Sequence, residues 1–511
     1  MNIKISVKNF GPIEQGEIAL DDLNVFIGSN NAGKSYFATL VYSLMQSLRF
    51  ASGSRMRRLY RVDGGTRLIY PSVRHVTRSL NLTDINVKLI LEKLAPIYKS
   101  EQEEVSLDQE LFEAFQKAAL GNLLSEFVTN VKKNMTPKLG NIVRFGERAF
   151  EVKISSGNDY IEFISEKNEL KVKDSQLTWK DIRFVKVESA TKADKRRLIR
   201  GENVYLRGNS AMIQLTKTQI SRLFTNIKEG NADETKYAIE EMGYFLDEAL
   251  ELTFPDLFSA PRVFYLPAAR SGILQAHRII AANAVQMTPL FGINRIEIGQ
   301  MSGTVADFLT HILAIDQEER GLLEISKQFE KKLIHGHVDL QGKDQYSLPE
   351  IIYEFKKHKI PLNRTSSTVS ELAPLFLLLK HVISKEDMVI IEEPEAHLHP
   401  ANQKLLAELI NAMVTNKVQL LITTHSDFLL GQLSMLIKTP VTSSPFIRAA
   451  KTNVNLFKYN DLTGSTTVEK VSVTDQEGID EREFGKVYEE LYQEHLKIDI
   501  RREAGGVGDK D

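Results

Sequence analysis

The 511 residues contain no cysteine. Disulfides and thiolate metal centres are therefore excluded, and a reducing compartment suits such a chain. No stretch approaches the run of roughly 18 apolar residues that a membrane span needs. The opening residues, MNIKISVKNFGPIEQGE, lack the charged-then-apolar pattern of a secretory leader, so a cytoplasmic location is expected. Net charge is also scarce, a formal −2, so any nucleic-acid contact needs a local basic patch and not an overall field. There is no internal repeat and no low-complexity block. What remains is the ordinary composition of a soluble globular protein, 26% charged and 42% hydrophobic. The length suits about two to four lobes.

Alternation in NIKISVKNF predicts a strand, and LNVFIG at 23–28 predicts a short buried one. A helix follows closely, in which Phe37, Leu40, Val41, Leu44, Met45 and Leu48 recur at helical spacing. From about 84 to 135 the pattern is helical and charged, without a sustained heptad. Residues 148–188 (AFEVKIS, DYIEFIS, ELKVK, IRFVKVE) alternate in the manner of an antiparallel meander, and helices are predicted for 212–256. RVFYLPA at 262–268 is a further buried strand, and helical character returns over 304–332. A helix (370–383), the strand MVII (388–391), a helix (402–414) and the strand VQLLITT (418–424) then follow one another. Apolar strands flanked by helices point to an α/β fold with a parallel sheet covered on both faces.

Between the 23–28 strand and its helix stands GSNNAGKS, residues 28–35, which satisfies G-x-x-x-x-G-K-[ST] in the strand-then-helix setting that pattern requires. Gly28 and Gly33 let the backbone turn its N–H groups inward around phosphates, with Asn30 and Asn31 in the loop between them. Lys34 supplies a point charge, and Ser35 offers a hydroxyl to Mg²⁺. This is a nucleotide site of the P-loop kind. It gives a reason for two adjacent carboxylates, Glu392 and Glu393, after the aliphatic strand MVII. A magnesium triphosphate at the carboxyl edge of a parallel sheet favours buried carboxylates there. Glu392 is expected to hold the metal through its water shell, and Glu393 to orient and deprotonate the attacking water. His425, after the strand ending TTHS, is a candidate donor to the γ-phosphate or simply a polar loop residue. HLH (397–399) and HGH (335–337) lack a third ligand at a plausible spacing, so zinc is not expected there.

The order of these segments resembles the ABC-type ATPases of the SMC-like and overcoming-lysogenization-defect group: a phosphate loop, a long insertion, IEEPEAHLHP (391–400), then LLITTHSDFLL (420–430). The resemblance covers 1–50 and roughly 260–435. It implies an α/β P-loop NTPase with an ABC-type head, in which a parallel core sheet is joined by an antiparallel β subdomain and a helical insertion. The head would comprise 1–50 and 261–435, the insertion 51–260, and a C-terminal extension 436–511. It further implies ATP and Mg²⁺ as ligands and two heads paired around ATP in a homodimer or higher oligomer. RTSSTVSELAPL (364–375) occupies the signature position, so Ser366, Ser367 and Ser370 would touch the partner head's γ-phosphate. Thr368 and Val369 stand where the family's glycines are expected, and EAHLHP fills the D-loop position. Gln275 and Arg270 are candidates for the polar Q-loop residue, an ordinary ion pair being the other reading of Arg270.

Members of that group with long coiled coils are set aside by the short, irregular helical stretches here. Members with a C-terminal Toprim nuclease are set aside because the D-x-D after His425 is Asp509–Asp511, with no strand before it. What remains is similar to the ATPase subunits of two-gene phage-defence systems such as Septu and PARIS. That similarity implies an oligomeric sensor or scaffold controlling a separate protein effector, a nuclease or toxin. Arginines recurring from Arg55 to Arg78 with Tyr60 and Tyr70 between them, and KADKRRLIR at 192–200, keep open a repair-type ATPase that touches DNA. A solvated face explains the same residues. A non-hydrolysing, nucleotide-gated clamp is the third reading. An amphipathic tail at 481–497 is a docking element or packs on the head.

Overall fold

The computed structural model describes residues 3–51, 104–107, 109–186, 204–216, 256–276, 301–315, 321–341, 350–439 and 446–480, apart from 209 and 259 and with a few isolated positions besides. Most of the Arg55–Arg78 stretch, the 192–200 cluster, most of the 481–497 tail and Asp509–Asp511 lie outside the described residues.

In chain order the elements used below are β1 (Ile3–Phe10), β2 (Ile13–Leu20), β3 (Leu23–Gly28), α1 (Lys34–Ala51), α2 (Gln109–Asn134), β4 (Glu151–Ser156), β5 (Asp159–Glu166) and β6 (Glu169–Gln176). They continue with β7 (Val263–Leu266), α3 (Gly303–Leu313), α4 (Leu323–Leu333), β8 (His337–Gln341), β9 (Glu350–Phe355) and β10 (His358–Pro361). The last are α5 (Ser367–His381), β11 (Met388–Glu392), α6 (Pro400–Thr415), β12 (Gln419–Thr423), α7 (Asp427–Lys438), β13 (Thr452–Asn460) and β14 (Ser465–Val471). Two compact units form, Met1–Gly11 with Thr39–Val263, and Pro12–Ala38 with Phe264–Asp511.

In the first unit β1, β4, β5 and β6 pair antiparallel in that order. Phe127 of α2 packs on Phe163 of β5 with ring centroids 4.9 Å apart. Along α2, Asn134 and Asn130 donate to the hydroxyls of Ser43 and Ser47, each at 2.9 Å. These bonds and the β1–β4 ladder place 3–10 and 39–51 with the insertion, so the expected head boundary at residue 50 falls too late. The meander ends one strand early as well. Asp181–Lys186 leaves it to pair parallel with Ser210–Leu215 and antiparallel with Glu104–Ser106. Ser210–Leu215 is itself a strand, against the helix expected from 212, because its run Ala211–Leu215 is buried as a sheet interior. Most of the rest of that predicted helical stretch lies outside the described residues.

The second unit is built on the order β7-β11-β12-β3-β13-β14-β2. The β11–β12, β12–β3 and β3–β13 ladders are all parallel. β3 and β11 are buried almost without a break, as strands covered on both faces must be. The expected C-terminal extension is thus no appendage. β13 lies directly against the phosphate-loop strand, which its buried run Thr452–Phe457 requires. α5 is buried on every side from Val369 to His381, the pattern of a central helix and not of an amphipathic surface one. α6 opens with Pro400 at its first turn, capped by His399, whose Nδ1 accepts the Ala401 N–H at 3.3 Å. His337, in the other histidine pair, has Nδ1 3.3 Å from the buried Glu330 carboxylate, which also pairs with Lys380 at 2.7 Å.

Candidate functional site

β3 runs into the loop 28–33 and then α1, whose first-turn N–H groups and dipole favour an anion. Gly28 has φ 135° and Gly33 φ 94°, both left-handed. A Cβ on Gly28 would lie 2.3 Å from the Phe457 carbonyl oxygen on β13, and one on Gly33 2.9 Å from Pro12. Glycine is required at both places. Asn31 joins them at φ 62°. Lys34 folds back over the loop and donates to the carbonyls of Gly28 at 3.0 Å and Ser29 at 2.8 Å. Burial of its ammonium pulls it down to about 8, against an upward pull from Glu393 and Glu395. Ser29, Asn30, Asn31 and Ser35 stay exposed. Gly28→Ala should lower stability by about 2–4 kcal/mol through the clash and the forbidden φ. Denaturant melts compared with the native chain check this.

Register brings the distant carboxylates to this loop. Glu392 pairs with Thr423, and Thr423 with Phe26 two residues before Gly28. The β11 and β3 ends are therefore separated by one strand, about 10 Å. Glu392 is 9% exposed, and its Oε2 accepts the Ala268 N–H at 3.2 Å. Glu393 begins the loop beyond, at φ 41°, with its N–H on the Thr423 carbonyl at 3.0 Å. A non-glycine residue held there stores strain, as residues at working sites often do. Its side chain is 46% exposed, so only one of the two carboxylates is buried, which corrects the expectation for both. The strand stops at Glu392, and the turn that follows lifts Glu393 into the open. His425 sits across from it, Nε2 to Oε1 3.9 Å. Burial and then Lys34 pull the imidazole below its ordinary value, Glu393 opposing them, so the ring is neutral near pH 7.

Two findings lay beyond the sequence reading. Glu395 closes this corner: its Oε1 accepts from Thr424 Oγ1 at 2.7 Å and from the His425 N–H at 2.9 Å, which fixes the backbone carrying the histidine. Burial raises its carboxyl. Arg270, a Q-loop candidate or a surface ion pair on the sequence alone, is the largest fully buried side chain among the described residues. Gln275 is exposed. Only the acidic and basic letters in EEPEA and PAARS could have signalled these roles, and such letters usually mark surface.

At the signature position, Ser366 caps α5 by accepting the Val369 N–H at 3.4 Å. Ser366 and Ser367 are exposed. Ser370 is not available as expected. It is buried one turn into the helix, with its hydroxyl on the Ser366 carbonyl at 3.1 Å. Thr368 reaches the His397 carbonyl at 3.4 Å and so touches the EAHLHP loop.

A glycine-turned loop on a helix N-terminus, at the carboxyl ends of parallel strands, defines an α/β P-loop NTPase. Residues 1–430 match the family described as AAA ATPase domain, and the chain belongs to it. No curated protein matches the sequence. Solved structures similar to the chain include heads of SMC proteins. One is an Smc head bound to the C-terminal winged-helix domain of ScpA, at 12% identity and TM-score 0.36, covering 92% of this chain and 98% of that one. Another is an Smc head with an extended coiled coil bound to the C-terminal domain of ScpA, derived from Pyrococcus furiosus, at 12% and 0.35, covering 96% and 98%. A third is the SMC head from Thermotoga maritima, at 10% and 0.33, covering 93% and 100%. No helix among the described residues is long and apolar enough to cross a membrane.

Proposed function

We propose that the protein binds magnesium ATP at the loop 28–35 and hydrolyses it with Glu393 as general base. The observation that carries this is the in-register row Glu392–Thr423–Phe26, which sets the carboxylates one strand away from the phosphate loop. The residues fit a metal triphosphate: a glycine cradle, an ammonium over its centre, an exposed Ser35 and a buried carboxylate at Glu392. Ser35 and Glu392 would hold Mg²⁺, which supplies charge neutralisation for the phosphates. Lys34 binds the β- and γ-phosphates. Glu393, half-exposed, takes the proton of the attacking water, and neutral His425 steadies the γ-phosphate by hydrogen bond.

Two heads would pair around the nucleotide, since Ser366 and Ser367 stand exposed at the start of α5 where a partner's phosphate could meet them. The motif order supports an oligomer acting in the cytoplasm as a sensor or scaffold for a separate effector in antiviral defence. The test is phosphate release from ATP by the full chain, with and without magnesium. Release that stops on chelation is expected. Equal release in the presence of EDTA, or none under any condition, would remove the reading.

A further inference from the structure

The guanidinium of Arg270, 2% exposed, joins three segments of the second unit. Nη1 donates to the carbonyl of Glu392 at 2.7 Å and to that of Pro267 at 3.2 Å. Nη2 donates to the carbonyl of Glu393 at 3.2 Å. Nε lies 3.2 Å from Glu371 Oε2 and donates to the Glu371 carbonyl at 3.3 Å. Glu371 is fully buried in the second turn of α5, and its Oε1 accepts from Ser271 Oγ at 2.6 Å and from the Ser271 N–H at 3.3 Å. β7 neighbours β11 in the sheet, and shortly beyond its end at Leu266 the chain brings Arg270 to the carbonyls at the end of β11.

Burying this charge is costly. Apolar side chains of equal volume would often stabilise a core as well or better. Burial pulls the guanidinium below its ordinary value, with Glu371 the foremost opposing influence. What an apolar residue cannot do is fix two successive carbonyls and a helix at once. The planar fork does so with bonds whose directions are set. The peptide it holds is the one kept at φ 41°. The helix it pairs with begins at Ser366 and Ser367, the exposed signature turn.

We infer that Arg270 and Glu371 are positioning residues, a buried strut by which the seating of the signature helix α5 sets the orientation of Glu393. The inference rests on the hydrolytic reading above. Both side chains are buried, so neither would touch the nucleotide. Movement of α5 when the signature turn is engaged would shift Glu371, and through Arg270 the carbonyls on either side of the Glu393 peptide. Assembly and turnover are thereby tied through one ion pair.

The experiment compares Glu371→Gln, Arg270→Lys and the double variant with the native chain, using Glu393→Gln as reference. Glutamine keeps an acceptor for Ser271 and loses the charge facing Arg270. Each variant is measured for kcat, for Kd of a fluorescent ATP analogue and for thermal midpoint. The expected result is a kcat lower by about tenfold or more, with Kd within about twofold, since no nucleotide contact is lost. The double variant should lose no more than the worse single one, the mark of residues acting as a unit. Should Glu371→Gln fail to fold, Ser271→Ala loosens the same carboxylate more gently and should lower kcat with Kd unchanged. Unchanged kcat, or kcat and Kd falling together with the thermal midpoint, would overturn the strut. Failure of the hydrolytic reading shows differently, as a Glu393→Gln variant that turns over ATP at the native rate.

Discussion

Replacing Glu393 with glutamine should lower ATP turnover by about 10²–10⁴-fold, the usual contribution of a positioned general base. Nucleotide affinity should stay within about twofold. Glutamine preserves size and hydrogen bonding but cannot take a proton. The residue stands clear of the core, its side chain nearly half exposed, so the fold should tolerate the change. Its N–H bond to Thr423 is backbone and is untouched. Single-turnover phosphate release alongside equilibrium binding separates the two effects. Native turnover in the variant would mean that another group is the base, and the non-hydrolysing clamp would gain support if the native chain itself released no phosphate.

Lys34→Ala should weaken ATP binding by about 10²-fold, because a charge-assisted bond to phosphate is lost in a half-buried loop. The native protein should also show a pH signature. With Lys34 at about 8 in the free chain, the ammonium is present below that value and is lost as pH rises through it. Bound phosphates favour the charged form, so ATP affinity should fall above about pH 8, approaching tenfold per unit. Stability carries the opposite sign. Between about 8 and the ordinary 10.5 the unfolded chain holds more protons at this position than the folded one, so this group's contribution rises with pH across the window. Lys34→Ala should abolish both trends. Isothermal titrations from pH 7 to 9.5 would show whether it does.

Much of the site was legible because each part is local. Eight consecutive residues, 28–35, encode a turn that only glycine can make at its two ends, and the structure shows the reason in Phe457 and Pro12. MVII and LLIT are apolar over lengths that fit buried parallel strands, and they pair with each other, LLIT lying next to β3. The unread parts depend on partners far away in sequence. Arg270 is a plausible surface residue until its guanidinium is seen buried among the carbonyls of Pro267, Glu392 and Glu393. Ser370 looks like its neighbours Ser366 and Ser367 until helical rotation turns it inward. Asp181–Lys186 alternates like the strands before it, and pattern alone cannot say which sheet it joins. Thr452–Asn460 comes after every motif and still fills the place beside the phosphate-loop strand.

A structure of the full chain with magnesium and a non-hydrolysable ATP analogue tests the central claim most directly. It should place the γ-phosphate between the ammonium of Lys34 and the carboxylate of Glu393, with the metal on Ser35 and one water bridging to Glu393. A nucleotide bound away from the 28–35 loop, or a Glu393 too far from the γ-phosphate for a single water to span, would contradict it.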